Sequence, residues 1–203
     1  DIGYAQDNRQ GLLKALTDQG VREEQLIECG LCIAPDNGGM PYDRFRNRIM
    51  FPIRDARGRC IAFGGRAIDA NARAKYLNSP ETAIYHKGQV LYGLSHTRDA
   101  IRRSDTVIVV EGYMDLLSLV QAGIENVVAT SGTALTEDHC RALARYAHRI
   151  VLLFDGDAAG SNAAMRGVEI ALGSGADARI VSLPSEHDPD TFVQKEGTDA
   201  LLA

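Results

Sequence analysis

The second half of the chain alternates between short strands and amphipathic helices, and this alternation constrains the fold more than any other feature. Four continuously apolar runs rich in β-branched residues follow one another from residue 106 onwards: TVIVVE, ENVVATS, RIVLLFD and ARIVSLP. The stretches between them, 113–122, 136–147 and 158–173, have the apolar spacing of helices that bury one face. Because strands buried on both faces are apolar throughout, the pattern predicts a parallel sheet flanked by helices.

The first half follows a different pattern, which predicts a separate α+β subdomain. An apolar helical spacing covers 8–29, and a β-hairpin is predicted around the turn DARG. Pro52 lies in the first strand of that hairpin and indicates an edge strand or a bulge, because proline cannot donate a hydrogen bond to a strand ladder. The predicted domains are therefore 1–104 and 105–203.

Charge is divided unevenly between these halves. Residues 1–104 carry 16 basic and 12 acidic side chains and residues 105–203 carry 6 and 15, so the net charge of −5 separates into +4 and −9. An excess of basic side chains is typical of a surface that faces polyanions, and an excess of acidic side chains gathers cations. Unrelated drift of surface charge is the alternative that composition alone leaves open.

Composition indicates an ordinary soluble globular protein, with 45% hydrophobic and 24% charged residues. No apolar run is long enough to span a bilayer and no signal peptide opens the sequence, so we expect no membrane partner. The four cysteines are too few and too scattered for a disulfide scaffold, which indicates a reducing, cytoplasmic location. The C-x-x-C of Cys29 and Cys32 has no second pair beside it, which favours buried packing over zinc binding. Because the chain starts at Asp1, we expect it to be a fragment of a longer protein.

Acidic side chains follow the ends of the predicted parallel strands, where ligands of such sheets bind. There are six: Glu111, Asp115, Asp155, Asp157, Asp188 and Asp190. All offer hard oxygen ligands, which favour Mg²⁺ or Mn²⁺ over zinc or copper. Three glycines among them, Gly112, Gly156 and Gly160, are expected to let a ligand approach the backbone closely.

Helix capping is the alternative role for these carboxylates. Asp157 and Asp190 each precede a helical stretch, so either could be an N-cap. However, two unit charges about 4 Å apart repel each other by roughly 4 kcal/mol at an effective dielectric constant near 20. Gathering several carboxylates at one edge is therefore better explained by a cation that neutralises them.

The acidic motifs VVEGYMD, LLFDGDAAG and HDPDTF resemble those of TOPRIM domains, a module of bacterial primases, topoisomerases and some nucleases. The segments YDRFRNRIMFPIRDARGRCIAFGGRAI, KYLNSPET and YHKGQVLYGL resemble the N-terminal subdomain of the DnaG-type primase catalytic core. The resemblance covers nearly the whole chain. It implies an α+β N-terminal subdomain, then an α/β TOPRIM domain with a central parallel sheet, then the start of a C-terminal helical subdomain.

The resemblance implies a DNA-directed RNA polymerase of the primase type, a nucleotidyltransferase that makes short RNA primers for replication by two-metal transfer from NTPs. Glu111, Asp155 and Asp157 would be catalytic, and all six carboxylates would bind the metals. In this family the acidic cluster lies opposite a basic surface of the N-terminal subdomain. The matching positions, expected near nucleotide phosphates or template, are Arg44, Arg48, Arg66, Lys75, Asn78 and Lys87.

The implied partners are a single-stranded DNA template, NTPs and the RNA primer, in the cytoplasmic replisome. Contact with the replicative helicase would need a C-terminal domain, and zinc an N-terminal module, both absent from this sequence. The alternatives are a TOPRIM nuclease, a topoisomerase-type module with its tyrosine on a separate domain, and a non-catalytic nucleic-acid-binding TOPRIM protein. A phage-type primase–helicase would contain G-x-x-x-x-G-K-[ST], which this sequence lacks.

Overall fold

The computed structural model describes residues 1–202, which form two compact units. The first unit comprises residues 1–54 and 59–86, and the second comprises 55–58 and the chain from 87 onwards. The boundary predicted at residue 104 therefore lies inside the second unit. The physical reason is that the helix at Leu94–Ser104 packs against two strands of the second unit's sheet.

The first unit is built on a four-stranded antiparallel sheet, as expected for an α+β subdomain. Its elements are β1 (Gly3–Ala5), α1 (Gly11–Thr17), α2 (Glu23–Glu28), β2 (Cys32–Ile33), β3 (Tyr42–Asp43), β4 (Arg48–Arg54), β5 (Cys60–Ala67) and β6 (Tyr76–Asn78). The sheet order is β1-β4-β5-β6, and β2 pairs with β3 separately. The helical pattern over 8–29 is divided into two helices, because the chain turns between them at Gly20, whose φ is +87°.

The predicted hairpin is formed by β4 and β5, and the position of Pro52 explains why proline is tolerated there. Strand β1 pairs only with Arg48 to Met50, so β4 has a neighbour on one side only at Pro52, which pairs with Phe63. The register then shifts between Ile53 and Arg54. Both features, a one-sided position and a bulge, are those the sequence predicts.

The second unit is an α/β domain with a fully parallel sheet, which confirms the predicted fold class. After a 3-10 turn (Lys87–Gln89) its elements are α3 (Leu94–Ser104), β7 (Thr106–Val110), α4 (Tyr113–Gln121), β8 (Val127–Ala129), α5 (Glu137–Leu143), β9 (Arg149–Leu153), α6 (Ala158–Gly173), β10 (Asp177–Val181) and α7 (Pro189–Leu202). The strand order is β10-β9-β7-β8. All four apolar runs thus contain a strand.

The core of the second unit lies on both faces of this sheet. Side chains at alternating and consecutive strand positions are fully buried, among them Val107, Val109, Val128 and Leu152. Burying a side chain of this size stabilises a fold by about 1.5–3 kcal/mol. The sheet is therefore held rigidly, and the residues at its carboxyl edge occupy fixed positions.

Helix α7 packs against α4 and is interrupted at Gly197, whose φ is +81°. Asp190 accepts a hydrogen bond from the Ser118 hydroxyl, and the Thr198 hydroxyl donates to the Ala122 carbonyl. Within the described part of the chain, none of the helices is long and apolar enough to cross a membrane.

Candidate active site at the carboxyl edge of the parallel sheet

The two central strands deliver acidic side chains to the same edge of the sheet. Glu111 follows the last residue of β7, and Asp155 and Asp157 follow the end of β9, which pairs with β7 in parallel. The carboxyl ends of adjacent parallel strands lie side by side, so these three residues are neighbours through the sheet and not through the chain.

Glu111 is the most unusual of these residues, because one of its oxygens is buried without a partner. Its Oε1 has no hydrogen bond. Burial raises the pKa of Glu111, and the charges of Asp155 and Asp157 raise it further. Glu111 also lines a cavity of about 330 Å³ beside the loop that follows β8. A buried carboxylate oxygen that has no hydrogen bond and lies near other negative charges is stabilised when it binds a proton or a cation.

Asp115 lies in the first turn of α4 and is only 8% exposed. Its Oδ2 accepts a hydrogen bond from the Gly112 backbone N–H at 2.9 Å. Burial raises the pKa of Asp115 to about 6, with contributions from the charges of Asp155 and Asp188, although backbone N–H groups oppose the shift. The charges of Asp155 and Asp188 therefore disfavour the ionised form of Asp115.

Two of the carboxylates cap helices, as the alternative interpretation proposed. Asp157 is the N-cap of α6, and its Oδ1 accepts from the Gly160 N–H at 2.7 Å. Asp188 accepts at Oδ1 from both the backbone N–H and the hydroxyl of Thr191, each at 2.7 Å. The sequence placed the second cap at Asp190, but Asp190 instead accepts hydrogen bonds from Ser118 and Gln194. Capping and cation binding are compatible, because a carboxylate has two oxygens.

The carboxylates share an edge but do not form a closed ligand cage. Within residues 1–202, no three His, Cys, Asp or Glu side chains are arranged so that they could hold a metal ion. The residues nevertheless fit a hard divalent cation: the donors are all carboxylate oxygens, one of them is buried and unpaired, and the charges of neighbouring aspartates help to raise the pKa values of Glu111 and Asp115. A metal site at this edge stays a prediction.

Two of the three glycines predicted to let a ligand approach, Gly156 and Gly160, are required by backbone packing. A Cβ on Gly156 would lie 2.0 Å from the Pro184 carbonyl oxygen, and one on Gly160 would lie 2.2 Å from the Asp155 carbonyl oxygen. Likewise, a Cβ on Gly65, in the GGR of β5, would lie 2.9 Å from the Phe45 ring. These positions require glycine because neighbouring protein atoms fill the space.

The six residues predicted to contact nucleotide or template are divided between the two units. Arg66 in β5 and Asn78 in β6 lie on paired strands, and the Lys75 Nζ lies 5.9 Å from the centroid of the Tyr76 ring. Arg44 has a buried Nε without a hydrogen-bond partner, and burial lowers the pKa of its guanidinium. Lys87 alone belongs to the second unit.

Arg48 is engaged inside the first unit. Its Nη1 donates to the Gly65 carbonyl at 3.1 Å and to the Lys75 carbonyl at 3.4 Å, and its Nη2 donates to the Ala74 carbonyl at 2.9 Å. Burial lowers its pKa. Arg48 thus holds the segment that carries Lys75, and its predicted direct contact with nucleotide or template stays untested.

The sequence predicted no role for the loop after β8, because this loop, TSGTALT, contains no acidic side chain. This loop contains two residues with positive φ, Ser131 at +55° and Gly132 at +87°. The Ser131 N–H donates to the Glu111 carbonyl at 2.8 Å, so the loop fixes the backbone of Glu111. The sequence signal was the small-residue run TSGT directly after a strand.

Replacing Asp115 by asparagine is expected to stabilise the metal-free protein at about pH 7.5 by ~1–3 kcal/mol. Because the pKa of Asp115 is raised from 3.8 to about 6 in the folded protein, the folded state keeps its proton after the unfolded state has lost it. The contribution of protonated Asp115 is present at low pH and is lost as the pH rises from about 4 to about 6. Asparagine cannot ionise and can still accept the Gly112 hydrogen bond.

Urea unfolding in a chelator at several pH values measures this effect. The exposed Asp199, changed to asparagine, is the control and should leave the pH dependence unaltered. A variant no more stable than the wild type at about pH 7.5 would show that ionised Asp115 is adequately solvated.

Comparison with known proteins gives the same family for both units. Residues 1–98 match the model described as "DNA primase catalytic core, N-terminal domain", and residues 108–193 match "Toprim-like". The DNA primase of Pseudomonas putida is 48% identical over 205 residues, covering 100% of this chain and 31% of that protein. That of Clostridium acetobutylicum is 47% identical, covering 99% of this chain and 33% of that protein. The chain thus spans about a third of the length of these relatives.

Solved structures agree with the sequence relatives. A DNA primase domain from Pseudomonas aeruginosa superimposes with a TM-score of 0.91 at 47% identity, covering 99% of this chain and 63% of that one. A DnaG primase catalytic domain bound to single-stranded DNA gives a TM-score of 0.88 at 44% identity, with coverages of 99% and 63%. Both likenesses extend over the two units.

Proposed function

The chain belongs to the family of bacterial DnaG-type DNA primase catalytic cores, and on this premise we propose that it makes short RNA primers on a single-stranded DNA template. The reaction class is nucleotidyl transfer from NTPs. The observation that carries the proposal is the edge of the parallel sheet, where Glu111 has a buried unpaired oxygen beside Asp155 and Asp157. A binding module without catalysis has no use for this destabilising arrangement.

The cation is Mg²⁺ or Mn²⁺ in this proposal. Its ligands are drawn from the six acidic positions: Glu111, Asp115, Asp155, Asp157, Asp188 and Asp190. When bound, two such ions favour deprotonation of the attacking hydroxyl and neutralise charge on the phosphates. The raised pKa values of Glu111 and Asp115 support the proposal, because a nearby positive charge would offset the burial and the carboxylate repulsion that raise them.

The chemical step joins a primer 3′-hydroxyl oxygen to the α-phosphorus of an NTP and breaks the bond to pyrophosphate. Glu111 is the residue we assign to accept the hydroxyl proton at Oε1 or to bind the cation. A carboxylate with a raised pKa is a better base near neutral pH than an ordinary one. Asp155 and Asp157 hold the cation, and the cap of α6 fixes the orientation of Asp157.

Basic side chains hold the polyanionic reactants. Arg44, Arg66, Lys75 and Lys87 are assigned to triphosphate or template phosphates, with Asn78 as a neutral hydrogen-bonding partner and Arg48 near Lys75. The primase domain solved with single-stranded DNA supports a template of this type. We extend the proposal to the replisome in the cytoplasm, with helicase contact through segments outside this sequence.

The proposal is tested in a chimera in which these 203 residues replace the matching segment of the Pseudomonas putida primase. We expect labelled NTPs to be joined into short RNA on single-stranded DNA, only with Mg²⁺ or Mn²⁺, and with template affinity that falls steeply with salt. The unmodified parent is the positive control. DNA cleavage in place of synthesis would favour a nuclease, and template binding without synthesis would favour a non-catalytic module.

A further inference from the structure

A fully buried histidine of the second unit is not one of the residues at the acidic edge and has no part in the proposed chemistry. His139 is 0% exposed and is the third residue of α5. Buried polar side chains are normally retained for the hydrogen bonds they make. The two ring nitrogens of His139 both have partners, and these partners define its role.

The hydrogen bonds of His139 fix its tautomer. The Thr136 backbone N–H donates to Nδ1 at 3.3 Å, so Nδ1 is the acceptor. Nε2 therefore carries the proton and donates to the Lys87 carbonyl oxygen at 3.0 Å. Burial lowers the pKa of His139, which keeps the ring neutral and preserves this division of donor and acceptor.

Two further hydrogen bonds link the start of α5 to the 3-10 turn at Lys87–Gln89. The Thr136 hydroxyl donates to the Gly88 carbonyl at 2.6 Å, and the Gln89 side-chain amide donates to Asp138 at 3.2 Å. The first turn of α5 therefore holds three consecutive residues, Lys87 to Gln89, by one hydrogen bond each. Without these bonds a three-residue 3-10 turn has little stability of its own.

We propose that His139 is a positioning residue that holds the Lys87 turn so that Lys87 can bind the phosphates of the incoming nucleotide. This inference rests on the proposed function, since it takes the nucleotide-binding role of Lys87 from there. The position of the Lys87 backbone does not depend on the proposed function. The buried His139 ring binds the Lys87 carbonyl oxygen and so fixes the point from which the Lys87 side chain extends. A lysine whose backbone is held in place loses less conformational freedom when it binds an anion.

Two variants separate positioning from simple stability. In His139→Gln, the amide oxygen can accept from the Thr136 N–H, as in an ordinary capping box, and the amide nitrogen can donate to Lys87. In His139→Met, both bonds are lost at similar volume. The matched control is Leu143→Val, a fully buried position on the same helix whose side chain belongs to the hydrophobic core cluster.

Steady-state kinetics of the chimera on single-stranded DNA give the functional readout. We expect His139→Met to raise the KM for NTP by about tenfold with kcat little changed, and His139→Gln to restore most of the loss. Leu143→Val should lower the melting temperature without moving KM. In a Lys87→Ala background, His139→Met should add nothing, because the side chain that it positions is gone.

Hydrogen exchange of the backbone amides of 87–90 in the 203-residue chain gives a readout independent of activity. His139→Met should accelerate this exchange and Leu143→Val should not do so selectively. If exchange accelerates but Lys87→Ala leaves KM unchanged, the role of Lys87 in the proposed function fails. If Lys87→Ala raises KM but His139→Met does not, or if Leu143→Val raises it equally, the positioning inference is overturned.

Discussion

Replacing Glu111 by glutamine is expected to slow primer synthesis by ~10²–10⁴-fold and, at the same time, to stabilise the metal-free protein. The loss of rate follows because glutamine can neither accept the hydroxyl proton nor bind a cation with a negative charge. The gain in stability follows because the change removes a charge that burial and two neighbouring aspartates, Asp155 and Asp157, already disfavour. Rate is measured in the chimera, and stability by thermal unfolding of the chain in a chelator.

The prediction requires two opposite changes in one variant, a lower rate of primer synthesis and a higher stability of the metal-free protein. The matched control is Glu125→Gln, since Glu125 is exposed and pairs with Arg103 near the start of β8, away from the carboxyl edge. It should leave the rate unchanged and alter stability little, as is usual for exposed ion pairs. If Glu111→Gln kept its activity, the catalytic assignment would be wrong. If Glu111→Gln were less stable than the wild type, other groups of the protein would have to stabilise the negative charge of Glu111.

The change Gly156→Ala is expected to destabilise the fold by about 3 kcal/mol and to reduce activity, although it adds a single methyl group. The new Cβ would lie 2.0 Å from the Pro184 carbonyl oxygen and 2.8 Å from that of Leu183. Both are backbone atoms, so they cannot rotate away. The Gly156 N–H also donates to the His187 carbonyl, so the loop that carries Asp155 and Asp157 would be pushed from the segment before Asp188.

Gly173→Ala is the matched control for this substitution. Gly173 ends α6, and nothing lies within 4 Å of the position that a methyl group would take there. Alanine at this position should be neutral or stabilising, by about 0.5–1 kcal/mol. Thermal and urea unfolding of both variants measure the difference. An unchanged melting temperature for Gly156→Ala would mean that the two segments can separate freely and that the carboxyl edge is not rigid.

The parallel sheet and the acidic edge were predictable because both depend on local patterns. Apolar runs mark strands buried on both faces, and the residue after each run is by necessity at the carboxyl end of the strand. Glu111 and Asp155 therefore fall at one edge as predicted. Resemblance to known motifs then gave the primase family, which the comparisons show.

Which aspartate caps a helix was harder to predict from the sequence. Asp188 and not Asp190 caps α7, because the identity of the cap depends on where the helix starts, and helix starts are defined by hydrogen bonds to Thr191 that the pattern does not reveal. The boundary at 104 differs for a related reason. The change in sequence pattern marks where the parallel sheet begins, whereas the compact unit also includes α3, which packs on that sheet.

Tertiary structure alone decided the roles of residues whose partners are distant in the chain. Gly156 needs to be glycine because of Pro184, Arg48 donates to Ala74 and Lys75, and His139 donates to Lys87, 52 positions away. The sequence determined what lies at the sheet edge, because periodicity and strand ends are local properties of a chain. Which atoms meet there depends on packing between segments, and that is a property only of the folded protein.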